Sequence, residues 1–281
     1  MIVSTLEQVQ KYLPSFNFKV KVDRLKDFLS RAQEWLVDHI LGEDIEEKLE
    51  DEIGESEPDP HEKLRTLTSR VICELAYLTA IGELDLQLSE VGFVVQNNDQ
   101  MSPASQQRTD RLVQSLHDRL AADCDAIVNY LLKDAAYEEW RGTEQFTYLT
   151  EAFMPTMTIV RLHSPSMIQL AKWQDFYELI PKMVEALHGP VAKYISIDEV
   201  DALLELYRDA ELTPTQSASL RWIRMSVMAH VTGSPTATHY AIEARLWMQQ
   251  HESDFPEFVN SDRYELPKPF DFGEGTVANL L

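Results

Sequence analysis

Glu185 and His188 stand three residues apart, a spacing that sets a carboxylate and an imidazole on one helix face. In a four-helix di-iron site such a pair is one half-motif, completed by a second pair and two further glutamates. No other histidine here has a glutamate three positions before it, so the match reads as accidental spacing. His61-Glu62 begins like a zinc-protease helix and lacks the second histidine. Serines and aspartates are plentiful without a nucleophile-elbow pattern, and the nine glycines nowhere cluster into a phosphate loop. His230 falls in an apolar helical stretch, where a hydrogen-bonded core histidine is the ordinary occupant. Cys73 and Cys124 sit on apolar helical faces without ligand-spaced partners, which reads as buried small hydrophobes. Trp35, Trp140, Trp173, Trp222 and Trp247 are spread along the chain, as packing or interface residues are. We assign no catalytic, cofactor-binding or metal-binding residue, and no cofactor, on the sequence.

The charge is more informative. The 281 residues carry a formal net charge of −22, with 44% hydrophobic and 26% charged residues, the make-up of a soluble globular chain. Nearly half of that charge lies in GEDIEEKLEDEIGESEPDPHE, residues 42–62, where eleven acids face the single Lys48. The run reads as a solvated helix face followed by an acidic loop. The alternative is a negative surface that repels DNA or guides a basic partner. It lacks the alternating acids and central glycine of an EF-hand. So acidic a chain argues against nucleic-acid binding, and no apolar run is long enough for a membrane span. The start, MIVSTLEQVQKYLPSF, lacks a basic start and an apolar centre, so a cytoplasmic location is expected.

The elements that would position any site are helical. Leu25, Phe28, Leu29, Ala32, Leu36 and Ile40 recur at i, i+3, i+4 spacing, and Gly42 closes that helix. A short acidic helix with Ile45, Leu49 and Ile53 follows, then a loop at Pro58 and Pro60. Leu64, Leu67, Val71, Leu75 and Leu78 line the next helix. LDLQLSEVGFVVQ carries the one β signal, an extended segment or hairpin near 84–98. Ser102-Pro103 then opens a long helix with Leu112, Leu116, Leu120, Ile127 and Leu131 along one stripe. Residues 136–165, aromatic and β-branched with Pro155 and Pro165, read as a packed linker with little regular helix. Helices resume at Met167 and continue over 198–208, 214–231 and 235–251. The proline-rich end, 256–281, reads as an extended arm.

The two halves repeat an order of parts. DRLKDFLSRAQEWLVDHI resembles LAKWQDFYELIPKMVEAL, and ILGEDIEEKLED resembles YISIDEVDALLELYRD. HEKLRTLTSRVICELAYLTAIG resembles QSASLRWIRMSVMAHVTGS, and a Ser-Pro helix start follows each, at Ser102 and Ser234. The expected fold is therefore all-α, with two related helical bundles over 1–135 and 166–255.

The succession ILGEDIEEKL, ELAYLTAIGELDLQLSEVGF, VVQNNDQMSPASQQRTDRL resembles a family of uncharacterised proteins encoded in the structural gene modules of tailed phages and prophages. There a GF-x-V … N … PAS-x-x-R stretch follows a helix pair, and a second, weaker half comes after. The matching positions are Gly92, Phe93, Val95, Asn98, Pro103, Ala104, Ser105 and Arg108. The family resembles head–tail connector or head-completion proteins, helical units that form a ring under the portal. The resemblance implies a non-enzymatic assembly protein that self-associates or joins portal and tail proteins. It also implies a place in the host cytoplasm and, for a phage-encoded chain, in the virion. The competing expectations are a helical enzyme or ligand-binding protein with a pocket between the bundles, and an adaptor that binds a basic partner through residues 43–62.

Overall fold

The computed structural model describes residues 1–13, 25–50, 59–84, 87–89, 92–94, 106–164 and 172–264. The fold is all-α and divides into two compact units, Met1–Pro181 and Lys182–Leu281. In the first unit, α1 (Leu6–Tyr12) is opened by a capping box: the Thr5 hydroxyl accepts from Gln8 N, and the Gln8 side chain accepts from Thr5 N. Next, α2 (Lys26–Leu36) buries Leu29, Ala32 and Leu36, the face that periodicity predicts. It runs into a π-helical turn, Val37–Leu41, which ends at Gly42 with φ +78°. Acidic α3 (Glu43–Glu50) follows, with Ile45 and Leu49 buried beneath its charged face.

Helix α4 (Glu62–Leu84) packs against both α2 and α5 (Gln106–Lys133). This explains a departure from the expected single leucine face. Leu64 and Val71 are buried, yet Leu67, Leu75 and Leu78 are only half-buried, while Ile72, Cys73, Ala76 and Ala80 are covered. A helix between two neighbours buries two flanks, and a one-stripe pattern does not capture that. Between α4 and α5, strands β1 (Gln87–Ser89) and β2 (Gly92–Val94) pair antiparallel, Leu88 opposite Phe93. On α5 the stripe is buried from Leu116 through Leu131.

The segment expected as a linker with little regular helix is largely helical. It holds a 3-10 helix over Ala135–Gly142, then α6 (Glu144–Thr150) and α7 (Met157–His163). Each is opened by a side-chain cap, from Asp134, Thr143 and Thr156 respectively. Such caps satisfy first-turn amides that a short helix cannot pair internally. Their apolar residues are deeply covered: Trp140, Phe146, Leu149, Met157 and Val160 are buried, and the Trp140 indole donates to Ile40 O at 2.7 Å. Burial, rather than helix propensity, stabilises these short elements.

Helix α8 (Trp173–Ala186) contains the unit boundary at Pro181. In the second unit a π-helical turn, Leu187–Val191, leads into α9 (Ala192–Ile195). Ser196 then holds φ +69° before α10 (Ile197–Arg208). Next, α11 (Pro214–Val231) starts with Pro at its first position and a Thr213–Gln216 capping box. It packs on α12 (Ala237–Gln250) in antiparallel register: Trp247 Nε1 donates to Thr215 O, and Trp222 stacks on Tyr240. Seven residues up α11 thus match seven back along α12. Small buried residues allow the close approach: Ser219 and Ser226 on α11, Ala237, Ala241 and Ala244 on α12. The α12 start lies two residues past the expected Pro235, because Ser234 first forms a turn whose carbonyl accepts from Ala237 N. The last described helix is α13 (Pro256–Val259), at the start of the expected arm; residues 265–281 of that arm lie outside the described residues.

Candidate functional site

The clearest site in the first unit is a cavity of about 260 Å3 among α2, α4, α5 and the start of α8. Apolar walls come from Ala32 and Trp35 of α2, Leu75 of α4, Leu120 of α5 and Trp173 of α8. The rim is basic and polar, with Arg31 and Lys172 exposed and His117, Thr79 and Gln174 beside them. Trp35 and Trp173 meet edge-on, centroids 5.9 Å apart.

Both indoles are held from behind. Trp35 stacks on His39, which contacts Tyr177, which in turn meets Tyr148 at 4.5 Å. The Trp173 indole donates to buried Asp125 at 3.2 Å. Asp125 also accepts from Met157 N (2.9 Å), Thr158 N (2.7 Å) and the Thr158 hydroxyl (2.6 Å). One carboxylate thereby caps α7 and orients a cavity wall, and a buried carboxylate needs several donors of this kind. No periodicity argument could find it, since Asp125 looks like one more polar residue on a long helix.

His117 is half-buried, and its Nδ1 is shielded from solvent with no hydrogen-bond partner among the described residues. Burial pushes its pKa down, and Lys172 adds to that, against smaller opposing pulls from Asp175 and Asp118. Arg31 and Lys172 make no ion pair among the described residues. Two exposed cations thus border an apolar slot.

A second polar cluster lies along the α4–α5 contact. Arg70 forms a two-pronged ion pair with Asp123, and one turn on, Arg119 Nε approaches Glu74 at 3.2 Å. Four residues up α4 match four down α5, so the two helices are antiparallel here. Glu74 is 3% exposed, and its other oxygen has no partner among the described residues. Burial outweighs Arg119 and, with Asp123 also raising it, lifts the Glu74 pKa to about 7. Cys73 and Cys124 are both buried free thiols; burial pushes Cys73 up to about 12 and Cys124 well above its ordinary value. Thiols so protonated are poor nucleophiles.

The second unit has its own buried acid. Glu199, third residue of α10, is 2% exposed and accepts from Phe258 N at 2.8 Å, capping α13. Burial raises its pKa to about 7 despite that bond. Elsewhere in this unit α12 exposes Ile242 (39%) and Leu246 (44%), one turn apart on its outer face. Residues 214–250, spanning α11 and α12, hold Arg221, Arg224 and Arg245 against the single Glu243.

The residues singled out in sequence are scattered. His188 lies 3.4 Å from Asp201, with Glu185 exposed. The His61 ring meets the Tyr137 hydroxyl at 2.8 Å. His230 departs from the expected satisfied core residue: it is half-buried, and its Nε2 has no partner among the described residues. Of the motif residues, Gly92 and Phe93 lie in β2 and Arg108 in the first turn of α5. Val95, Asn98, Pro103, Ala104 and Ser105 lie outside the described residues, as does the Ser102-Pro103 helix start. Among the described residues, no three His, Cys, Asp or Glu side chains gather as a metal site, and no helix is long and apolar enough to cross a membrane.

A model for a family of unknown function, DUF6712, matches residues 20–150, from the approach to α2 through the end of α6. No curated protein matches the chain. No solved structure matches it.

Proposed function

We propose that this chain is a non-enzymatic assembly subunit of the head–tail connector type, encoded by a tailed phage or prophage and passing from host cytoplasm to virion. The observation that carries the reading is the outer face of α12. Copies bearing −22 each repel one another, so apolar association is favourable only where acids are sparse. The α11–α12 hairpin is such a place, and it exposes Ile242 and Leu246 side by side. A ring forms when one such face meets a different face of the next copy and the rotation closes.

Two further observations support the reading. The family match covers the 92–108 stretch on which the phage resemblance rests. A helix, a π-turn, a positive-φ corner and a helix follow one another around Gly42. Around Ser196 the same order recurs with the short α9 inserted between π-turn and corner, and the two corners align when ILGED is set against YISID. That supports an internal duplication.

Light scattering across a concentration range tests the proposal. The mass should climb toward a fixed multiple of the chain mass, and the double variant Ile242→Asp/Leu246→Asp should stay monomeric. A wild-type chain that stays monomeric throughout removes α12 as an association face. The gene neighbourhood tests the phage assignment separately: a portal or capsid gene alongside supports it, and a metabolic operon defeats it.

A further inference from the structure

We propose that the cavity in the first unit binds a small organic carboxylate with a single-ring or compact branched apolar body. Size sets the first limit, because about 150 Å3 of apolar cavity holds a benzene ring. A 260 Å3 cavity therefore takes one ring and a short arm, and excludes a nucleotide or a long acyl chain. The walls set the second. Trp35, Trp173, Leu75 and Leu120 offer no charge, so the buried part of the ligand is apolar, with the edge-on indoles forming a slot for a flat group.

The rim sets the sign. Arg31 and Lys172 converge on the opening without an ion pair among the described residues, in a chain with 47 acids and 25 lysines and arginines. Two exposed cations thus border this one apolar opening, and no acid among the described residues lines it. The half-buried His117 stands beside them at the mouth. A carboxylate matches both cations at once, and the guanidinium can engage it through two bonds. The inference does not depend on self-association.

Calorimetric titration of the full chain with phenylacetate, phenylacetamide and phenethylamine decides the matter. These share a ring and differ in charge. Phenylacetate should bind saturably and alter tryptophan fluorescence, phenylacetamide should bind at least tenfold more weakly, and phenethylamine should not bind. Arg31→Glu/Lys172→Glu alters only exposed side chains; with an unchanged circular dichroism spectrum it should lose phenylacetate binding at least tenfold. Equal binding of acid and amide, preference for the amine, or no saturable binding of phenylacetate at millimolar concentrations would each overturn the proposal. Retained affinity in the folded double variant would overturn it too.

Discussion

The corner after the π-turn of residues 37–41 and the corner after α9 share a backbone shape but not a side chain. Gly42 sits at φ +78°, ψ +164°, and Ser196 at φ +69°, ψ +156°, each immediately before a helix. Glycine adopts this region freely, whereas for serine it costs on the order of 1–3 kcal/mol. Serine recovers part of that by capping, since its hydroxyl accepts from Glu199 N at 3.2 Å. The third residue after each corner differs as well. It is buried Ile45 in the first unit and buried Glu199 in the second. Ile45 needs no polar partner, while Glu199 needs the α13 amide at Phe258. One local geometry therefore supports two energetic solutions, an unstrained apolar one and a strained polar one.

The difference can be broken most visibly through pH. Glu199 keeps its proton to about pH 7 when folded, whereas the unfolded chain releases it near the ordinary value of 4.5. Between those values only the folded state holds that proton, so stability falls as pH rises through the window and levels off above it. The fall should be about 3 kcal/mol, from about 1.4 kcal/mol per pKa unit. Glu74 in the first unit adds a fall of the same sign over the same range. Urea unfolding on either side of the window should show the drop, and Glu199→Gln should roughly halve it while leaving the Glu74 share. A stability that rises between pH 5 and 7 would contradict the burial of both acids.

A smaller effect is expected at the first corner. Gly42→Ala should cost about 2 kcal/mol, because positive φ now strains a side chain. Its new Cβ would also stand 3.3 Å from Thr143 Cγ2 and from the Gln145 side chain. Calorimetric unfolding should show a lower transition, and an unchanged one would mean that the corner relaxes easily. The smallest effect runs the other way. Ser196→Gly should gain about 1 kcal/mol, as relief of backbone strain exceeds the few tenths lost when glycine replaces a serine cap. If Ser196→Gly destabilises instead, the cap outweighs the strain and the contrast between the corners disappears.

Much of the helical layout was legible in the residues. The 214–231 helix has the expected bounds because Thr213, Pro214 and Gln216 are local start signals that need no partner. Gly42 was legible as a stop because backbone freedom is a property of the residue itself. The helices over 135–163 were not, because each is only seven or eight residues long, too short to show a clear period or to stand alone, and forms only where caps and burial coincide. The cavity was equally hidden. Arg31, Trp35, Leu75, His117 and Lys172 are spread over four elements, and nothing in their spacing joins them.

By itself, then, the sequence determined the helical periods, the caps and the strongly negative charge, since each depends on residue type and near neighbours. Tertiary structure alone decided which carboxylates are buried, which cations stay unpaired and where the tryptophans meet. Asp125 and Glu199 differ little in sequence from the exposed acids around them. Their roles arise because distant backbone, the first turns of α7 and α13, arrives with unsatisfied amides that only a buried carboxylate can meet.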